Sequence, residues 1–153
     1  SEELETICVV LDADNPNLGA KWDSIKGRLA KEGYSVPDRP NSDGTFLEAD
    51  DKPKIGVWLM PDNNIDGMLE DFCHQLAGED AIDFAKSCVK TAKEKSFTSF
   101  IDNHESKAII HTYLAWQNEP GMPLGLAITA KALDRDKPLA QKFAQFLHSL
   151  FSE

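Results

Sequence analysis

The chain has 153 residues, 41% hydrophobic and 27% charged, with a formal net charge of −10 from 16 basic and 26 acidic side chains. That length and balance suit one globular domain with a real core. The acidic surplus excludes a protein coated in nucleic acid, which needs a basic face, while leaving room for a local cationic patch beside a metal.

A charged lead-in, Ser1-Glu2-Glu3-Leu4-Glu5-Thr6, runs into Ile7-Cys8-Val9-Val10-Leu11. A continuous apolar run of this kind, ended by turn formers, reads as a strand buried on both faces of a parallel sheet. Asp12 and Asp14 follow at its carboxyl end, where open α/β sheets bind ligands. Two carboxylates at a strand end repel each other unless a cation lies between them, and hydrated Mg²⁺ suits an all-oxygen site. The competing reading is that Asp12 is a polar strand end and Asp14 caps the Asn15-Pro16-Asn17 turn.

Leu18 to Gly33 reads as the first helix. Trp22, Ile25 and Leu29 fall on one stripe, Lys21, Asp23, Lys26, Arg28 and Lys31 face outward, and Gly33 is the stop. Tyr34 to Asp43 is a loop with a short extended piece at Tyr34–Val36. Gly44–Ala49 and Lys54–Met60 are strands, and the short polar link between them calls for a hairpin. Met60-Pro61-Asp62-Asn63-Asn64 ends the second of these, and a helix is expected from near Ile65. Ile65, Met68, Leu69, Phe72 and Leu76 would be its buried stripe. Asp66 and Glu70 share one flank and Asp71 lies on the other. Taken alone, Glu70 and Asp71 are more simply explained by solvation of an amphipathic helix, since acids near a helix N-terminus also suit its dipole.

Gly78 to Lys95 reads as a helix burying Ala81, Phe84, Ala85, Cys88, Val89 and Ala92. Its acids lead and its lysines trail, as the helix dipole favours. Phe97 and Phe100 anchor the connection. A further helix runs from His104 to Gln117, with Ile109, Ile110, Tyr113, Leu114 and Trp116 apolar. Two more are expected at Leu124–Leu133 and Leu139–Phe151, the last packed by Phe143, Phe146, Leu147, Leu150 and Phe151. No repeat, low-complexity stretch or composition shift marks a second domain.

Cys8, Cys73 and Cys88 stand in apolar surroundings without pair or zinc spacing. They read as reduced thiols of a cytoplasmic protein. No signal peptide or apolar run of membrane length occurs, so no membrane partner is expected. None of His74, His104, His111 and His148 pairs with another at metal-ligand spacing, and no nucleophile elbow, phosphate loop or dinucleotide glycine fingerprint is present. Trp22, Trp58 and Trp116 read as packing. The strongest constellation is therefore Asp12 and Asp14 with Glu70 and Asp71, three or four carboxylates able to hold one or two Mg²⁺ ions. Lys107, near a helix start, is the candidate cation for phosphate charge, against the simpler reading of a surface lysine.

Val9-Val10-Leu11-Asp12-Ala13-Asp14 resembles the aspartate motif of the Toprim fold, shared by topoisomerases, primases and overcoming-lysogenization-defect (OLD) nucleases. Gly56-Val57-Trp58-Leu59-Met60-Pro61-Asp62-Asn63, Gly67-Met68-Leu69-Glu70-Asp71-Phe72, the run from Lys107 to Trp116 and Pro123–Thr129 are similar to a bacterial Toprim-like group of unknown function. The resemblance implies a Mg²⁺ (or Mn²⁺) site made by Asp12, Asp14 and an acid of the Leu-Glu-Asp segment, with phosphodiester chemistry on nucleic acid or nucleotide. The chain departs from that pattern in one respect. Toprim domains carry an essential glutamate at the end of an earlier strand, and Glu2, Glu3 and Glu5 lie on the wrong side of any strand to match it. The chain thus reads as a Toprim-like domain truncated at its N-terminus, or a divergent member without the first βα unit.

The expected architecture is α/β: a small, mostly parallel Toprim-like sheet with a hairpin component and a helical C-terminal half. The expected activity is Mg²⁺-dependent phosphodiester cleavage of nuclease type. The alternative is a non-catalytic binding or regulatory module, and a nucleotide-sugar transferase ranks last because no donor-binding half is present. An open sheet edge would invite pairing with a second copy.

Overall fold

The computed structural model describes residues 4–152. Contacts divide the chain into two compact units, Ser1–Phe72 with Gln141–Glu153, and Cys73–Ala140.

The first unit is built on a three-stranded sheet of β1 (Thr6–Asp12), β2 (Thr45–Leu47) and β3 (Lys54–Met60), in the order β1-β3-β2. β1 runs parallel to β3 along its whole length, from Thr6 opposite Lys54 to Asp12 opposite Met60. β2 is antiparallel to β3, as the short polar link predicts. The sheet is therefore mixed, not mostly parallel. With only three strands, one hairpin already makes half of the pairings antiparallel.

The strand buried on both faces is β3, not β1. Ile55 to Met60 are all buried, whereas β1 is an edge strand whose Val10 and Leu11 are each 40% exposed. Both segments are continuous apolar runs, and such a run does not distinguish a central from an edge position.

Alternation along β3 then sorts the core into two layers. Ile55, Val57 and Leu59 join Trp22 and Ile25 of α1 (Leu18–Lys31), with Ala13, Tyr34 and Leu47. Ile7, Val9 and Leu29 pack against this cluster. The Trp22 indole N–H donates to the Pro37 carbonyl at 2.9 Å, and the Tyr34 hydroxyl to that of Pro53 at 2.7 Å. These two bonds hold the 34–43 segment without a strand at Tyr34–Val36.

On the other face Trp58, fully buried, meets Phe143 and Phe146 of the C-terminal helix with ring centroids 5.1 and 5.3 Å apart. Gly56 lies under Leu150 of the same helix. A Cβ there would stand 2.6 Å from the leucine Cδ2, so a larger residue would push the helix off the sheet.

In the second unit α3 (Glu79–Glu94) packs against α4 (Glu105–Leu114). The buried stripe of α3 is Ile82, Ala85 and Val89. Phe84 is 61% exposed and pairs with Trp116, itself 46% exposed, at 5.5 Å between centroids. The small alanines at 81, 85 and 92 fit two neighbouring stripes, and packing selects the one that leaves Phe84 outside. Phe97 is exposed rather than an anchor. The turn is held instead by Lys93, whose ammonium reaches Asp102 at 3.3 Å and Glu105 at 3.4 Å.

Leu124–Leu133 is not a helix. Only Leu124–Leu126 makes a 3-10 turn, and Lys131 takes a left-handed φ of 63° that ends any continuation. The Tyr113 hydroxyl and the backbone of Ala127 hold this segment instead, through Ala132 and Leu133. The chain crosses between the units within α2 (Leu69–Leu76) and α5 (Pro138–Phe151). Among the described residues no helix is long and apolar enough to cross a membrane.

Candidate acidic site at the strand ends

Parallel pairing brings the carboxyl ends of β1 and β3 to one rim, with Asp12 level with Met60. Each strand then enters a turn opened by a cis proline bond, Asn15-Pro16 after β1 and Met60-Pro61 after β3. Ala13, fully buried, fixes the rim. Its N–H donates to the Met60 carbonyl and its own carbonyl accepts from Gly67 N–H, both at 3.1 Å. This clamp leaves Asp12 and Asp14 on either side of a buried, doubly hydrogen-bonded residue.

α2 starts at Leu69, four residues later than the apolar pattern suggests, because the 61–68 segment is held in turns by its own acids. The Asp62 carboxylate accepts from the N–H groups of Asn64 and Ile65 at 2.9 and 3.1 Å. Asp66 lies before the helix, so it does not share a helical flank with Glu70. Its Oδ1 accepts from Leu18 N–H, at the first residue of α1, at 2.7 Å.

The first turn of α2 faces β1. Asp12 Oδ1 accepts from Leu69 N–H at 2.8 Å, and Asp71 Oδ2 from Met68 N–H at 2.8 Å. The second bond is the returning half of a capping box, in which the third helical residue reaches back to the cap N–H. Both carboxylates meet the positive end of the helix dipole. Glu70, half-buried, leaves from the same turn.

Four acids are thus gathered here, and Asp12 registers them. Its carboxyl is pushed above the usual aspartate range, chiefly by burial and then by the charges of Asp14, Glu70 and Asp71, while the Leu69 N–H pulls the other way. Asp14, Glu70 and Asp71, which the sequence groups with Asp12, lie near enough for their charges to act on it. Lys107 belongs to the second unit, exposed on α4. Glu5 precedes β1, at the end of the strand away from Asp12. Glu2 and Glu3 lie outside the described residues.

Among the described residues no three acidic, histidine or cysteine side chains converge as a ready-made metal cage. One oxygen of Asp12 and one of Asp71 are already bonded to α2 backbone. Mg²⁺, however, is often held by one or two carboxylates and keeps several waters, leaving further positions to a phosphate ligand. An ion bound here would have to keep several waters, because the described residues supply no all-protein site.

Asn63 is the neighbour of this rim that periodicity misses. β2 pairs with β3 only as far as Val57. Two residues on, Leu59 N–H donates to Asn63 Oδ1 at 2.7 Å and Leu59 carbonyl accepts from Asn63 N–H at 2.8 Å. One buried asparagine, at a left-handed φ of 67°, stands in for the missing strand residue. The only sequence signal is an Asn after Pro-Asp, a residue pair that favours turns and tolerates that conformation. Asn63 also lines a pocket of about 400 Å³ with Leu18, Gly19, Trp22, Arg39 and Asn64.

These features define a mixed α/β protein with an acidic rim where the two parallel strands end. The chain belongs to the family described as "Protein of unknown function (DUF3226)", which it matches over residues 1–152. No curated protein and no solved structure is significantly similar to it.

Proposed function

We propose that the rim holds Mg²⁺, or Mn²⁺ in its place, and that the protein is a Toprim-type domain for phosphodiester chemistry on a nucleic acid or nucleotide in the cytoplasm. Asp12 and Asp14 are the principal ligands and Glu70 completes the set. Asp71 supports the turn. When bound, the ion offsets charge on a phosphoryl oxygen. One observation carries this reading: the Asp12 carboxyl is held, half-buried, within the fields of three other acids. That arrangement is unfavourable for the chain alone and is relieved by a divalent cation. Titrating the protein with Mg²⁺ and Mn²⁺ by calorimetry tests it. Binding to the wild type that is lost in Asp12→Ala and Asp14→Ala supports the reading, and a wild type that takes up neither ion removes it.

The second reading is a non-catalytic binding module on the same fold. It is favoured by the use of Asp12 and Asp71 to cap α2, a structural duty that needs no metal. In that case Asp12→Asn leaves ligand binding intact and changes only stability.

A further inference from the structure

We propose that the cavity between the start of α1 and the Pro37–Pro40 loop binds the phosphate of a small hydroxylated molecule, with Arg39 as its cation. The cavity measures about 400 Å³ and lies wholly within the first unit. α1 contributes Gly19, Trp22 and Asp23, the loop contributes Arg39 and Pro40, and the turn after β3 contributes Asn63. It therefore lies at the carboxyl ends of the strands, where open α/β sheets bind ligands. Its size is that of a small-molecule site.

In the segments 13–19, 34–43 and 61–68, Arg39 is the only cation. The loop that carries it has no regular structure, yet it is fastened on both sides of Arg39. The Trp22 indole N–H donates to the Pro37 carbonyl at 2.9 Å, Lys26 pairs with Asp38, and Asn41 N–H donates to Thr45 Oγ1 at 2.9 Å. Pro37 and Pro40 stiffen the backbone between these ties. Lys26 takes the neighbouring carboxylate, and among the described residues the Arg39 guanidinium has no ion pair. An unpaired guanidinium on a fastened loop takes phosphate in its planar fork at little ordering cost.

The facing wall adds a donor. In the first turn of α1 Leu18 N–H goes to Asp66, Ala20 N–H to Asn17 Oδ1 and Lys21 N–H to the Asn17 carbonyl. Gly19 N–H alone in that turn has no partner among the described residues, and Gly19 lines the cavity. A Cβ there would meet only Asn17 Oδ1, at 3.5 Å, so the wall is open. Asp23 stands one turn further along the same face of α1 and makes no ion pair among the described residues. Its carboxylate repels a bare phosphate and accepts hydrogen bonds from hydroxyl groups. A phosphate end beside a hydroxylated body is the chemistry shared by sugar phosphates and nucleoside monophosphates.

The test is calorimetric titration, in the presence of a chelator, with inorganic phosphate, ribose phosphate and adenosine monophosphate. The chelator removes divalent ions, so the outcome is independent of the metal reading of the rim. Both esters are expected to bind more tightly than inorganic phosphate. Equal affinity for the two assigns the site to a sugar phosphate, and a further gain with adenosine monophosphate assigns it to a nucleotide. Arg39→Ala, at an exposed position, is expected to weaken both esters at least about tenfold, the loss of a charged hydrogen bond. Gly19→Glu, which sets a carboxylate against the open wall, should weaken them as well. Asp23→Asn is expected to strengthen inorganic phosphate and narrow its gap to the esters. A wild type that binds none of the three probes at millimolar concentration overturns the proposal. So does binding that Arg39→Ala leaves unchanged, or inorganic phosphate that binds as tightly as both esters.

Discussion

Asp12 Oδ1 accepts the Leu69 backbone N–H at 2.8 Å, joining residues 57 apart in sequence. This bond ties the end of β1 to the start of α2, and it gives a strand-end carboxylate a structural duty beside any chemical one. The two duties separate by experiment because one needs only an acceptor oxygen and the other needs a negative charge.

The first prediction concerns pH. The Asp12 carboxyl sits above its ordinary value of 3.8 in the folded protein, mainly through burial. As pH rises past that value the unfolded chain releases this proton first, so the folded state then carries more protons and stability falls with pH. The loss is complete once pH exceeds the raised folded value. Asp12→Asn keeps the acceptor and removes the charge. It is expected to be more stable than wild type at neutral pH without metal, by up to ~1 kcal/mol after solvent screening. The two melting curves should converge in acid, where both side chains are neutral. Thermal melts across pH in the presence of a chelator check this.

Asp71→Ala leaves the Met68 N–H without its carboxylate. A lost helix cap of this kind costs about 1 kcal/mol. Asp71→Asn, which retains an acceptor oxygen, should recover most of it. Urea denaturation of the two variants measures the difference, and equal stability would show that the cap contributes nothing.

Asn63→Ala removes the acceptor for Leu59 N–H at a buried position and leaves alanine in a left-handed conformation. A buried unsatisfied donor costs about 1–3 kcal/mol and the strained backbone adds to it. We expect a total of about 2–4 kcal/mol by chemical denaturation. Asn63→Gly, free of the backbone strain, should be less severe.

Gly67→Ala tests the clamp on the rim. Its φ is +152°, and a Cβ would stand 2.7 Å from Asp71 Oδ2 and 2.9 Å from Pro61 Cδ. Either the Asp71 cap or the Ala13 bridge must give way. The expected cost is about 2 kcal/mol, with Mg²⁺ affinity falling in parallel if the rim is the metal site.

The residues alone determined where most elements lie. The stripe of Trp22 and Ile25, the hairpin of β2 and β3, the aromatic face of the last helix and the acids at 12, 14, 70 and 71 all follow from local periodicity and strand-end chemistry. Those signals are carried by neighbours in sequence. Tertiary structure alone decided that β3 and not β1 is central, that Phe84 and Trp116 face outward, and that Leu124–Leu133 is folded by turns. It also decided that Asp12 caps a helix 57 residues away and that Asn63 replaces a strand residue. Each of these depends on which surface covers a segment or which distant backbone group needs a partner. Burial and hydrogen-bond satisfaction are properties of the assembled chain, and no window of sequence contains them.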